Sequence, residues 1–337
     1  MKVKDVNMDI ISLFSGCGGL DLGFQQAGFN VLWANECDKS IWDTYKFNHA
    51  HTQLDNRDIR NIQSEEIPNC IGIIGGPPCQ SWSEAGAKRG IDDSRGQLFY
   101  EYIRIVKDKQ PWFFVAENVS GILTVRHKQA FINILNLFEE VGYKIAYKLV
   151  NAKDFEVPQD RKRVIIVGYS EKMGKIFDFP QPVSKILTLK DAISDLELIS
   201  PSKFGDEINN KRQIVANHEY LDMGFSSIYM SRNRVRSWSE PSFTIQAGGR
   251  HAPLHPQANK MILVEKDKRI FDPNSPQPYR RLSVRECARI QTFPDNFIFK
   301  YNHIADGYKM VGNAVPVNLA KILARKILVD LQNFMIQ

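Results

Sequence analysis

A cysteine at position 79 stands directly after two prolines in "GGPPCQSWS", Gly75 to Ser83, following the apolar run "CIGII". Pro77 and Pro78 fix the backbone and donate no hydrogen bond, so the thiol rides on a stiff piece of chain. A cysteine that serves only as a small apolar core residue needs no such frame. A second apolar run, "WFFVAEN", ends in Glu117-Asn118. A thiol and a carboxylic acid delivered by neighbouring strand ends make a nucleophile and a proton donor. If a helix starts near Ser81, its N-terminal dipole favours the thiolate. On these residues alone, a packed cysteine and a helix-start glutamate remain the alternative.

A ligand site is written nearby in sequence. In "LFSGCGGLDLGF" (13–24), Gly16, Gly18 and Gly19 allow positive φ and let a ligand approach the backbone. The spacing is not that of a dinucleotide fingerprint, because the third glycine of GxGxxG falls at Asp21. The next apolar run ends in Asn35-Glu36, where an acidic side chain can hold a ribose, and "RDIR" offers Asp58 to an adenine amino group. Together these suggest an adenosine-bearing cofactor with no pyrophosphate requirement. The seven histidines (49, 51, 127, 218, 251, 255, 303) lie in segments that read as loop or surface. Pro253 between His251 and His255 argues against a helical metal pair, so neither a Cys–His hydrolase nor a metal site is expected.

The elements that must position these groups alternate. "DIISLF" (9–14), "NVLWAN" (30–35), "CIGIIGG" (70–76), "WFFVAEN" (112–118) and "RVIIVGY" (163–169) read as buried strands, with helical spacing at 97–108 and 128–141. That rhythm predicts an α/β fold with a parallel sheet covered on both faces, ligands collecting at the carboxyl ends of its strands. After Gly168 the rhythm decays, and "FDFPQPVSK" (177–185) reads as a boundary. "NLAKILARKILVDL" (318–331) then returns to helical spacing, with Leu319, Ile322, Leu323 and Ile327 on one face. The expected organisation is a large domain over 1–175, a smaller inserted domain over 176–304, and a segment over 305–337 packing back on the first.

The chain has 337 residues and a net charge of +6, distributed unevenly. Residues 176–230 carry 5 Lys/Arg against 8 Asp/Glu, whereas 231–290 carry 12 against 5. The basic block, with Arg232, Arg234, Arg236, Arg250, Arg280, Arg281, Arg285 and Arg289, suits a polyanion or forms a solvated basic face. Five scattered cysteines without a CxxC pair fit a reducing cytoplasm, and no apolar run has signal-peptide or membrane-spanning character.

In order, "FSGCGGLDLGF", "NE", "GGPPCQSWS", "AENV", "QDRKR" and "GNAVPVNLA" resemble the motifs of the DNA (cytosine-5)-methyltransferases, over Ile11 to Ala320. Within that family the chain looks like the short bacterial restriction–modification enzymes. "MSRNRVRSW", "QAGGRHAPLHPQA" and "GGPPCQSWSEAG" are similar to those of GGCC-methylating enzymes. A tRNA cytosine methyltransferase shares much of the catalytic pattern and is the nearest rival.

The resemblance implies a Rossmann-like domain that binds S-adenosylmethionine, a smaller target-recognition domain, double-stranded DNA as substrate and a cognate restriction endonuclease as functional partner. It assigns Phe14, Gly16, Gly18, Leu20, Glu36, Asp58, Ile59, Pro78, Leu98, Asn313 and Val315 to the cofactor. Where some relatives carry an aromatic residue after the glutamate, this chain has Cys37. Cys79 would add to C6 of a flipped-out cytosine, Glu117 would donate to N3, and Arg161 and Arg163 would hold the target nucleotide. Arg232, Arg234 and Arg250 would contact DNA.

Overall fold

The five runs expected as strands all form strands, but they do not all run the same way. The computed structural model describes residues 7–78, 97–198, 201–203 and 215–336. Its main sheet contains β1 (Asp9–Leu13), β2 (Asn30–Asn35), β3 (Gln53–Asp55), β4 (Gly72–Gly75), β5 (Phe113–Val119), β6 (Tyr143–Asn151) and β7 (Lys162–Ser170) in the order β3-β2-β1-β4-β5-β7-β6. The first five are parallel, whereas β7 runs antiparallel to both β5 and β6. The expectation of a wholly parallel sheet is therefore corrected to a mixed one. β6, "YKIAYKLVN", escapes the sequence reading because it is a half-exposed edge strand studded with lysine rather than a buried apolar run. β3 escapes because it is three residues long.

Helices α1 (Gly19–Ala27), α2 (Trp42–Asn48), α3 (Gln97–Lys109) and α4 (Lys128–Glu140) connect these strands. One core cluster takes Ile11 and Leu13 from β1, Ile73 from β4, Phe114 and Ala116 from β5, and Val164 and Ile166 from β7. Tyr102 and Val106 of α3, with Phe131 and Phe138 of α4, close over them. The stacked Phe114–Phe138 rings, 4.1 Å apart, mark its centre.

The chain divides into two compact units. The first comprises the N-terminal stretch to Asn151, Lys162–Gln181 and the stretch from Leu319 onward; the second comprises Ala152–Arg161 and Pro182–Asn318. The sequence reading drew its boundaries after 175 and 304. Contacts draw them after Gln181 and Asn318, and they put the short excursion between β6 and β7 in the second unit.

The last helix, Val317–Ile336, buries Leu319, Leu323, Ile327 and Leu331 and leaves Ile322 half-buried. Its Asp330 is fastened to the sheet. The hydroxyl of Tyr169 on β7 donates to Oδ2 at 2.8 Å and Lys175 Nζ lies 2.7 Å from Oδ1.

The second unit has little regular structure, and buried arginines tie its loops together. Arg281 donates to the carbonyls of Met223 (2.7 Å) and Gly224 (3.1 Å); Arg285 donates to those of Ala216 (2.8 Å) and Phe297 (2.8 Å). Glu286, fully buried, takes both arms of Arg280 at 2.8 and 2.7 Å, and that guanidinium holds its carboxyl down at about 2 despite burial. Much of the basic block is therefore internal scaffolding. His49, His218 and His255, expected in loop or surface segments, do lie outside helices and strands but are buried. Burial pushes His49 and His255 down to about 4, so both are neutral at physiological pH.

Candidate active site

The reversal of β7 is what brings Glu117 and Arg163 to one corner of the sheet. Register pairs Glu117 with Ile165 and Val119 with Arg163, so Glu117 and Arg163 are diagonal neighbours on one face. Arg163 Nε lies 2.9 Å from Glu117 Oε1. In a parallel β7 the start of the strand would lie at the opposite end of the sheet from the carboxyl end of β5. Burial lowers the pKa of Arg163 while Glu117 acts the other way, so the guanidinium remains charged in all ordinary buffers.

The same corner holds the root of the proline loop. Asn118 Nδ2 donates to the carbonyl of Pro77 at 3.0 Å, and Asn118 Oδ1 accepts from Val119 N at 2.8 Å. Glu117 Oε2 is 3.5 Å from where a side chain on Gly76 would begin. The acid thus sits against the chain three residues before Cys79, and its neighbour Asn118 pins the first of the two prolines. Cys79 itself, and the helix expected near Ser81, lie outside the described residues.

Arg161 belongs to the second unit, is sealed from solvent, and donates to the carbonyls of Ile245 (2.9 Å), Gly312 (2.9 Å) and Ala314 (3.0 Å). Buried Gln159 works beside it. Its amide donates to Gln291 Oε1 at 2.8 Å and its carbonyl oxygen accepts from Ile245 N at 2.8 Å. Gln291 in turn donates to Val311 O at 2.8 Å. This network carries exposed Asn313 and buried Val315, both in the second unit.

The glycine turn of the first unit joins β1 to α1. Phe14, Gly16 and Gly18 all have positive φ (54°, 55° and 88°), and Gly18 N donates to Ser15 O at 3.0 Å. Glu36, at the end of β2, receives Gly16 N on one carboxylate oxygen (2.9 Å) and Asp38 N on the other (2.8 Å). The carboxylate thus fastens the glycine turn to the segment that follows β2. Asp58 caps a short helical turn, and its carboxylate already accepts from Arg60, at 2.9 Å from Nε and 2.5 Å from Nη2, which lowers its pKa. Ile59 and Leu20 are buried, whereas Pro78 and Leu98 are half-buried, as is Phe14. Cys37 is exposed beside Glu36.

These residues fit an adenosine-bearing group. At Gly16 a Cβ would meet nothing within 4 Å, which leaves the backbone open to a ligand. At Gly18 a Cβ would fall 2.0 Å from Nε2 of buried His49. The two glycines therefore separate in a test. Gly16→Ala is expected to cost about 1 kcal/mol of stability, from φ alone, and to weaken cofactor binding by filling the open side. Gly18→Ala is expected to cost about 2 kcal/mol or more, through the clash with a ring that cannot move aside. Thermal unfolding beside calorimetric titration with S-adenosylmethionine checks both; equal stability losses would contradict the assignment.

Beneath the turn lies a group that sequence reasoning passed over. Asp21, fully buried, accepts from Ser12 Oγ at 2.7 Å and from Tyr45 OH at 2.5 Å. The available signal was a charged residue set among apolar ones in "GLDLGF".

In the second unit Tyr229 joins two arginine-bearing segments. Its carbonyl accepts from Arg234 Nε at 3.0 Å, and its hydroxyl donates to Ala252 O at 2.8 Å, next to the turn that presents Arg250. The Arg234 guanidinium lies over the Tyr229 ring at 4.8 Å. Arg232 and Arg250 are exposed and Arg234 is half-exposed. Among the described residues no group of His, Cys, Asp or Glu could hold a metal, and no helix is long and apolar enough to cross a membrane.

Comparison with known proteins places these features in one family. The profile described as C-5 cytosine-specific DNA methylase matches residues 8–329. The chain is 58% identical to the Type II methyltransferase M.MthTI of Methanothermobacter thermautotrophicus over 327 residues, covering 97% of this chain and 99% of that protein. It is 56% identical to the Type II methyltransferase M.FnuDI of Fusobacterium nucleatum, covering 95% and 94%. Among solved structures, a candidate DNA modification methyltransferase encoded within an E. coli prophage superposes with a TM-score of 0.75 at 25% identity, covering 96% of this chain and 99% of that one. The Entamoeba histolytica methyltransferase EhMeth shares the fold, with a TM-score of 0.70 at 16% identity over 97% of this chain and 99% of that one.

Proposed function

Because the chain belongs to the C-5 cytosine-specific DNA methylases and is of the Type II restriction–modification kind, we propose that it methylates C5 of one cytosine in a short duplex site, taking that cytosine out of the helix and using Cys79 as a transient covalent nucleophile. The observation that carries this reading is the corner formed by Glu117, Arg163 and the Asn118-pinned root of the Pro77-Pro78 loop.

Cytosine C5 is a weak carbon nucleophile while its ring is aromatic. Addition of the Cys79 thiolate to C6 breaks that aromaticity and moves an electron pair towards C5, while Glu117 gives a proton to N3 and offsets the charge growing there. S-adenosylmethionine, when bound, supplies an electrophilic methyl group. Once C5 is methylated, loss of its proton drives out the Cys79 thiolate, restores the ring double bond and returns the N3 proton to Glu117. Neither group can reach a stacked base, so the base must be flipped. Phe14, Gly16, Gly18, Leu20, Glu36, Asp58 and Ile59 would hold the cofactor, Glu36 from its place against the glycine turn, where it accepts from Gly16 N. Arg163 orients Glu117 and the target, and Arg161 acts through the carbonyls it holds together.

Arg232, Arg234 and Arg250 are the proposed readers of sequence. A guanidinium can bond O6 and N7 of guanine together, for about 1–3 kcal/mol of discrimination per base. Of the three, Arg234 is the most rigidly presented, held by the Tyr229 carbonyl and ring. The proposed site is GGCC, with its inner cytosine modified. Plasmid from cells expressing the chain should resist a GGCC-cutting endonuclease, and bisulfite sequencing should show methylation there. Complete digestion with methylation at another sequence would remove the GGCC assignment and keep the enzyme class. Transfer of label from S-adenosylmethionine to tRNA but not to duplex DNA would overturn the substrate.

A further inference from the structure

The turn at 14–18 is the only covalent link between the end of β1 and the start of α1, so its shape depends on how those two elements are fixed. One buried carboxylate fixes them. Asp21 stands in the first turn of α1, where it takes the place that a glycine has in dinucleotide folds. It accepts from Ser12 on β1 (2.7 Å) and from Tyr45 on α2 (2.5 Å), and thus ties three elements around the turn. Tyr45 extends the contact upward. Its ring stacks on His49 at 4.5 Å, the His49 ring fills the space where Gly18 lacks a side chain, and His49 Nδ1 meets Gln25 Oε1 of α1 at 3.1 Å.

We propose, resting on the cofactor reading above, that Ser12, Asp21 and Tyr45 are positioning residues for S-adenosylmethionine, and that affinity for it depends on Asp21 being ionised. The ionised carboxylate accepts both hydroxyls at once. Once protonated it must donate from one oxygen, so one hydroxyl has to turn and the tie loosens.

Burial brings Asp21 up to about 6, against the pull of the two hydroxyl donors. The neighbouring titratable groups are Tyr45 and His49 on or just after α2 and Cys17 in the turn, which feels the charges of Asp21 and Glu36. Burial holds Cys17 up at about 12, Tyr45 well above its ordinary value and His49 at about 4. Of Asp21, Cys17, Tyr45 and His49, only Asp21 changes charge near pH 6, and affinity should fall as pH drops through that value.

The test is calorimetric titration of the full chain with S-adenosylmethionine from about pH 5 to pH 8. Tyr45→Phe keeps the ring and its stacking but removes one donor to Asp21. It should weaken binding about ten-fold at neutral pH, and the loss of a stabilising donor should move the midpoint of the profile upward. A purely structural role would not move that midpoint. Ser12→Ala removes the other donor and should shift it the same way. Variants with unchanged affinity and midpoint, beside a wild type that binds, would overturn the inference alone. A folded wild type that gave no binding at any pH would overturn the cofactor reading itself.

Discussion

Cys79→Ala should reduce methyl transfer by about four orders of magnitude or more, while S-adenosylmethionine binds as it does to the wild type. The size follows from the chemistry: without addition at C6 the ring keeps its aromaticity and C5 has no electron pair to offer. Cofactor binding survives because Phe14, Gly16, Gly18, Glu36 and Asp58 stand on the ends of β1 and β2 and the segment after β3, not on the proline loop. Duplex DNA carrying 5-fluorocytosine at the target should trap the wild type as a covalent complex, since fluorine cannot leave as a proton does. The alanine variant should form no such complex. Substantial methylation by that variant would sink the nucleophile assignment.

Glu117→Gln should slow single-turnover methyl transfer by about 10²–10⁴-fold, with cofactor affinity changed by no more than about two-fold. The amide has the carboxylate's shape and can still sit beside Arg163, and Asn118 can still hold Pro77 at 3.0 Å. What disappears is a proton that can be given to N3 and taken back. A variant within a few-fold of wild type would mean that another group supplies that proton.

The sequence made the chemistry legible and the geometry only partly so. The apolar runs at 9–14, 30–35, 70–76 and 112–118 form strands that end at Leu13, Asn35, Gly75 and Val119, and each places a candidate site residue at or beside a strand's carboxyl end, as a reader of βα rhythm would expect. Direction was not legible. "RVIIVGY" is equally apolar whether it runs parallel or antiparallel, because a strand buried on both faces has no alternation to betray it. Only the register of β7 on β5 brings Arg163 to Glu117. Nor could composition tell an exposed arginine from an internal one. Arg285 and Arg232 count the same in a charge sum, yet the first is fully buried among carbonyls and the second is exposed. Asp21 was hidden for a related reason, since its partners Ser12 and Tyr45 stand 9 and 24 residues away in sequence.

The first unit is built from three separate stretches of chain, and the last of them carries a buried face of Leu319, Leu323, Ile327 and Leu331. A ribosome delivers about 5–20 residues per second, so once β7 has emerged, the whole of Pro182–Asn318 must be made, on the order of ten seconds, before that face arrives. During this interval the nascent sheet has its seven strands but lacks the helix that covers it, and Tyr169 and Lys175 await the carboxylate of Asp330. Translation that stops anywhere within the second unit should therefore release a sticky fragment dependent on chaperones, not a slow enzyme.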